Sequence, residues 1–102
     1  MHKNSYIENG VIATPSTPSF GRKVTLTYNG LLPRNGASEV YAHVGYGCDW
    51  KDSYDYKMTR TNNGFETTIP VCASEDLNVC FKDPLNNWDN NHGHNYSFKV
   101  ME

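Results

Sequence analysis

Between Asn86 and Tyr96 the chain runs Asn-Asn-Trp-Asp-Asn-Asn-His-Gly-His-Asn-Tyr: eleven residues with five asparagines, two histidines, one carboxylate and no aliphatic side chain. A stretch without apolar period has nothing to bury as a core strand or an amphipathic helix. It reads as a loop, because Asn, Asp and Gly make turns through side-chain to backbone hydrogen bonds and tolerate left-handed geometry. Its tryptophan, Trp88, leaves two readings open: a plug folded over the core, or a flat surface held out among amides. A second tryptophan, Trp50, stands in another polar stretch, Gly47 to Ser53, and His43 lies on the polar side of the strand leading to it. Indoles in such company suit a sugar. A pyranose offers a flat face of C–H bonds to an aromatic ring, and its hydroxyl rim needs the donors and acceptors of Asn, Asp, His and Lys. Two indoles at an angle would grip adjacent units of a bent chain. Exposed aromatics also serve peptide recognition, so Tyr41, Tyr46, Tyr54 and Tyr56 keep a protein- or peptide-interaction module as the alternative.

Other chemistry is poorly supplied. The chain has no G-x-S-x-G, no P-loop glycines and no Ser-His-Asp order. The carboxylate pairs Asp49 with Asp52 and Asp83 with Asp89 fall in polar stretches, where such residues act as solvated turn formers rather than as acid and base. No catalytic residue is expected, and the chain reads as a non-enzyme. His92-x-His94 would aim two imidazoles the same way if extended, with His43 or Cys80 to complete a site, but structural zinc takes four placed ligands. Asp89-x-Asn91-x-Gly93-x-Asn95 misplaces the glycine of a calcium loop and lacks its final glutamate. No metal and no cofactor is expected.

A length of 102 residues suits one domain with a core of its own. Net charge is −2, and no Lys/Arg cluster occurs. That composition argues against nucleic acid and against a membrane surface as partners. The three cysteines, Cys48, Cys72 and Cys80, form no C-x-x-C pair and are expected as free thiols of a reducing compartment. No apolar leader follows Met1. A chain starting at its natural methionine would be cytoplasmic; one excised from a secreted enzyme would be extracellular.

The elements that must position Trp50, His43 and Trp88 read as strands. Val24-Thr25-Leu26-Thr27-Tyr28 alternates, closed by Asn29-Gly30, and Glu39 to Tyr46 alternates again with Val40, Ala42 and Val44 on one face and Tyr41, His43 and Gly45 on the other. Tyr54 to Thr61 reads as one strand, turned by Asn62-Asn63-Gly64 into Phe65 to Val71. Leu77, Val79 and Phe81 point inward from the next strand, and Tyr96, Phe98 and Val100 from the last. Val11 to Thr14 is a short strand broken by Pro15 and Pro18. No segment carries ten residues of helical period. Six or seven short strands with Gly/Asn/Pro turns predict an all-β, antiparallel β-sandwich, immunoglobulin-like and single-domain over 1–102, with 1–21 as a peripheral segment and 22–100 as the core module.

The motifs Tyr41-Ala42-His43-Val44-Gly45-Tyr46-Gly47-Cys48-Asp49-Trp50, Tyr56-Lys57-Met58-Thr59-Arg60, Leu77 to Asp83 and Asn87-Trp88-Asp89-Asn90-Asn91…Asn95-Tyr96 follow in order. From about Val24 to Val100 the series resembles the starch-binding carbohydrate-binding module of family 25, with families 26 and 53 as relatives. The resemblance implies a β-sandwich that binds α-1,4-linked glucans (starch, glycogen, malto-oligosaccharides) without catalysis, in association with a glucan-processing enzyme. It maps the family's aromatic pair onto Trp50 and Trp88 and its histidine onto His43, and it matches Asp89, Asn90 and Asn95 as further ligand-binding positions. Those last three are expected mostly to pin the turn that fixes Trp88. His92 and His94 depart from the smaller residues usual there, either extending the site or standing as solvated loop residues.

Overall fold

Alternation of apolar and polar residues builds the central strands of the computed structural model, which describes residues 6–102. A short 3-10 turn at Ile7–Asn9 leads into β1 (Val11–Thr14) and β2 (Lys23–Tyr28), followed by a one-turn helix α1 (Leu31–Arg34). β3 (Tyr41–Tyr46), β4 (Lys51–Lys57), β5 (Thr59–Thr61), β6 (Gly64–Pro70), β7 (Leu77–Lys82), β8 (Trp88–Asp89) and β9 (Tyr96–Phe98) complete the order. One sheet runs β1-β2-β6-β5 and the other β4-β3-β7-β8, with β9 also on β7, and every strand pairing is antiparallel. This is the expected β-sandwich. Val24, Leu26, Tyr28, Phe65 and Ile69 face Ala42, Val44, Leu77, Val79, Phe81, Tyr96 and Phe98 across the core, all buried. Tyr28 and Phe81 stack between the sheets, ring centroids 3.9 Å apart and nearly parallel. Such buried side chains contribute about 1.5–3 kcal/mol each.

Three expectations are corrected. Residues 11–14 of the segment expected to be peripheral are part of the core module: β1 pairs with β2, and its Val11 and Ala13 sit in the core. Alternation alone cannot show whether a short edge strand docks. The stretch from Tyr54 to Thr61 is two strands in different sheets, because Met58 turns inward, is buried, and hands its N–H to the Val40 carbonyl at 2.9 Å. The polar stretch Gly47 to Ser53 is a turn only as far as Trp50, since Lys51 already pairs with Tyr46. Cys48 and Cys72 are exposed free thiols, and Cys80 is a buried one.

Candidate functional site

Strand register, rather than loop proximity, assembles the site. On β3, His43 stands opposite Asp55 of β4 and Cys80 of β7; two residues along, Tyr41 meets Lys57 and Lys82, and Lys82 in turn meets Trp88. Alternate residues share a face. His43, Gly45, Asp55, Asn78, Cys80, Lys82 and Trp88 therefore lie together on the outer face of the five-stranded sheet.

Trp50 enters this face from the turn between β3 and β4. Its φ is +52°, a left-handed conformation that a bulky side chain seldom holds and that costs on the order of 1–3 kcal/mol. The turn is braced by the Asn78 side-chain amide, which donates to the Gly47 carbonyl at 2.8 Å. The indole lies down on Gly45, where a Cβ would stand 2.4 Å from Trp50 Cε3 and 3.1 Å from its Cα. Glycine is needed here for the space above it. Gly45→Ala is expected to cost about 1–3 kcal/mol by overpacking. Urea unfolding would read that loss, and near-ultraviolet circular dichroism would show a reoriented indole; two unchanged measurements would mean that Trp50 is seated elsewhere.

His43 stands between the two tryptophans. Its ring stacks with Trp50 at 5.3 Å and 22°, and meets Trp88 edge-on at 5.6 Å and 88°. The indoles are thus steeply inclined to each other. His43 Nδ1 lies 2.5 Å from Asp55 Oδ1, and Lys82 Nζ lies 3.0 Å from Asp55 Oδ2. A carboxylate accepts only, so His43 Nδ1 is the donor to Asp55, and in the neutral imidazole Nε2 is then the acceptor. Burial alone would raise the Asp55 carboxyl; the hydrogen bonds from His43 and Lys82 outweigh it and hold the carboxyl below its ordinary range. The grip is therefore complete at neutral pH and lost only as pH falls below the carboxylate range. Lys82 Nζ also lies 5.4 Å from the Trp88 ring centroid, a cation–π contact that ties the second indole to the same carboxylate. Next to His43 in the sheet, burial followed by the Asp55 and Asp89 charges pushes the Cys80 thiol up to about 11, which leaves it inert packing.

Trp88 is 43% exposed, which removes the plug reading. Two polar devices hold it. On the side before it, Asp83 Oδ1 accepts the N–H groups of Leu85 and Asn87, and Oδ2 accepts the Asn87 amide, each at 2.9 Å. Those bonds, led by that of the Asn87 side chain, hold the Asp83 carboxyl below its ordinary range. On the other side, Gly93 N–H reaches the Asn90 carbonyl and side-chain oxygens, Asn95 N–H reaches the Asn90 carbonyl at 2.8 Å, and the Asn91 amide closes onto the Asn95 carbonyl at 3.1 Å. Asn86, Asn91, His92 and Asn95 all take left-handed φ, which the asparagine-rich sequence supplies at low cost.

His43, Trp50 and Trp88 of the expected residues are thus brought together. Asp89 is not on the surface: it is 7% exposed, and its two oxygens accept from Tyr28 at 2.6 Å and Tyr96 at 2.8 Å. Asn90 shapes the turn, and half-buried Asn95 lines a cleft with Trp50, Glu75 and Asn78. His92, in a left-handed turn, does not share the extended geometry with His94 that a two-histidine ligand pair requires. Of the aromatics kept for peptide recognition, Tyr46 is buried, because it follows Ala42 and Val44 on the inner face. Asp55, Lys82 and Gly45 were not singled out by sequence; period-two alternation marks Lys82 and Gly45 as outward, but the cross-strand register that joins them is not a local signal.

The sequence model of the starch/carbohydrate-binding module (family 53) matches residues 24–78. The match bears out a carbohydrate-binding module, and it falls in family 53, expected above as a relative, rather than in family 25. An α-amylase from Clostridium acetobutylicum is 37% identical over 82 residues, which make up 78% of this chain and 10% of the amylase. A cycloalternan-degrading enzyme from Trueperella pyogenes superposes with a TM-score of 0.50 at 21% identity, over 76% of this chain and 10% of that enzyme, a likeness of fold. The chain spans 10% of the length of each of these proteins.

Proposed function

The chain belongs to the starch/carbohydrate-binding modules of family 53, and from that premise we propose that it binds α-1,4-linked glucans, in starch, glycogen or malto-oligosaccharides, without catalysing a reaction. The observation that carries this is the pair of steeply inclined indoles on either side of His43. Successive units of an α-1,4 chain turn relative to one another, so two tilted faces suit them better than one flat strip. His43 Nε2 accepts from a sugar hydroxyl between the two stacked units. Two stacked units with a few hydrogen bonds give roughly −5 to −7 kcal/mol, hence dissociation constants of about 10 µM to 0.2 mM. Similarity to a segment of an amylase supports a place for the module beside a glucan-processing enzyme.

Asp55 acts through His43 and Lys82. Asp55→Asn is expected to weaken glucan binding about tenfold, the worth of one charge-assisted hydrogen bond. The melting temperature should move little, because the pair is partly solvated. Calorimetry beside a thermal melt checks both, and an unchanged affinity would remove Asp55 from the account.

A pull-down tests the reading as a whole. Retention on amylose and glycogen with passage through cellulose is expected; retention on cellulose, or on none of the three, would contradict it. The protein-interaction alternative keeps one observation, the Tyr54 and Tyr56 rings at 4.7 Å, with Tyr54 62% exposed. A protein partner that stays bound against excess maltodextrin would favour it.

A further inference from the structure

Beyond Trp88 the surface does not end. A cleft of about 310 Å³ opens between the turn after β8 and the one-turn helix α1, walled by Trp88, Leu31, Arg34, Glu8, Asn90 and His92 among others. His43, Trp50 and Lys82 are not among its walls. The volume falls at the lower end of sites that hold small ligands, about 300–1,000 Å³. We propose that this cleft is a further sugar subsite, taking the next unit of a glucan already held at Trp50, His43 and Trp88; the inference rests on the α-glucan reading above.

The chemistry of the walls favours a neutral, hydroxyl-rich ring. Trp88 and half-exposed Leu31 supply apolar surface. Arg34 has no side-chain partner among the described residues, and neither does His92. Asn90 has given its side-chain oxygen to Gly93 N–H at 3.0 Å, which leaves its NH2 unspent. Guanidinium, amide and imidazole donors beside an apolar wall match the equatorial hydroxyls and C–H face of a pyranose. Glu8 stands in the same wall, and its negative charge disfavours an anion. The subsite also gives a use to His92. The turn holds it in place through successive left-handed residues, Asn91 at φ +56°, His92 at +56° and Gly93 at +89°.

The test is chain-length dependence measured by calorimetry with maltose, maltotriose and maltopentaose. The unmodified protein should bind the pentaose about tenfold tighter than maltose, the worth of two or so added hydrogen bonds. Arg34→Ala and His92→Ala, both at exposed positions, should keep the maltose affinity and lose most of that gain. Equal affinity for all three sugars, or variants that keep the full gain, would overturn the subsite while leaving the Trp50–Trp88 platform standing. Failure to bind any of the sugars would overturn the platform reading itself, and the subsite with it.

Discussion

Trp88→Ala should lower glucan affinity by at least about thirtyfold, near 2 kcal/mol, and leave a domain that still unfolds cooperatively. The two halves of this expectation have different physical sources. Binding is lost because the indole is one of two inclined faces and the sugar's C–H surface has nothing to replace it. Stability is largely kept because the side chain is 43% exposed and the strand β8 is held by its backbone pairing with Lys82 and by Asp89 below it. A loss of about 1 kcal/mol is the scale for such a position. Titration with maltoheptaose alongside urea unfolding separates the outcomes. A variant that fails to fold would return Trp88 to the role of a plug, and one that binds as before would show that the sugar lies elsewhere.

Asp89→Ala should do the reverse, with its first effect on stability. The carboxylate is buried and accepts from Tyr28 and Tyr96, and the Tyr28 hydroxyl in turn accepts from the Leu32 N–H at 3.1 Å. Truncation leaves two buried hydroxyls short of an acceptor and severs the link between the two sheets and α1. The expected cost is about 3–4 kcal/mol, out of about 5–15 for a domain of this size. The melting temperature should fall on the order of 15 °C. Burial first, then the bond to Asp89, pushes both phenols above their ordinary range. Their stabilising contribution is therefore intact below the unfolded value near 10.0 and lost only as pH rises beyond it. Thermal melts of Asp89→Ala beside Asp89→Asn measure the effect. A melting point within a few degrees of the parent in both would show that the tyrosines find other partners.

These two neighbours show where the sequence is legible. The alternation of Val24, Leu26 and Tyr28, and of Leu77, Val79 and Phe81, marks core strands because burial on one face imposes a period of two. The asparagine-rich run marks a set of left-handed turns, and the structure places Asn86, Asn91 and Asn95 in that region. Trp88 next to Asp89 reads as one polar block, yet one residue lies outward and the other inward, because a two-residue strand forms within what composition presents as a loop. A strand so short has no period to read. Asp55 is legible only as a charge on a tyrosine-rich strand; its partnership with His43 depends on the β3–β4 register, which shifts between Val44 and Tyr46. Gly45 reads as one more outward position of its strand until Trp50 is seen lying over it.

The central claim is that Trp50, His43 and Trp88 form one α-glucan surface. Its most direct measurement follows the two indole N–H signals by heteronuclear magnetic resonance while maltoheptaose is added to the unmodified protein. Both signals should move along a single saturable curve in the range of about 10 µM to 0.2 mM. Indole signals that stay fixed at millimolar sugar would contradict the account.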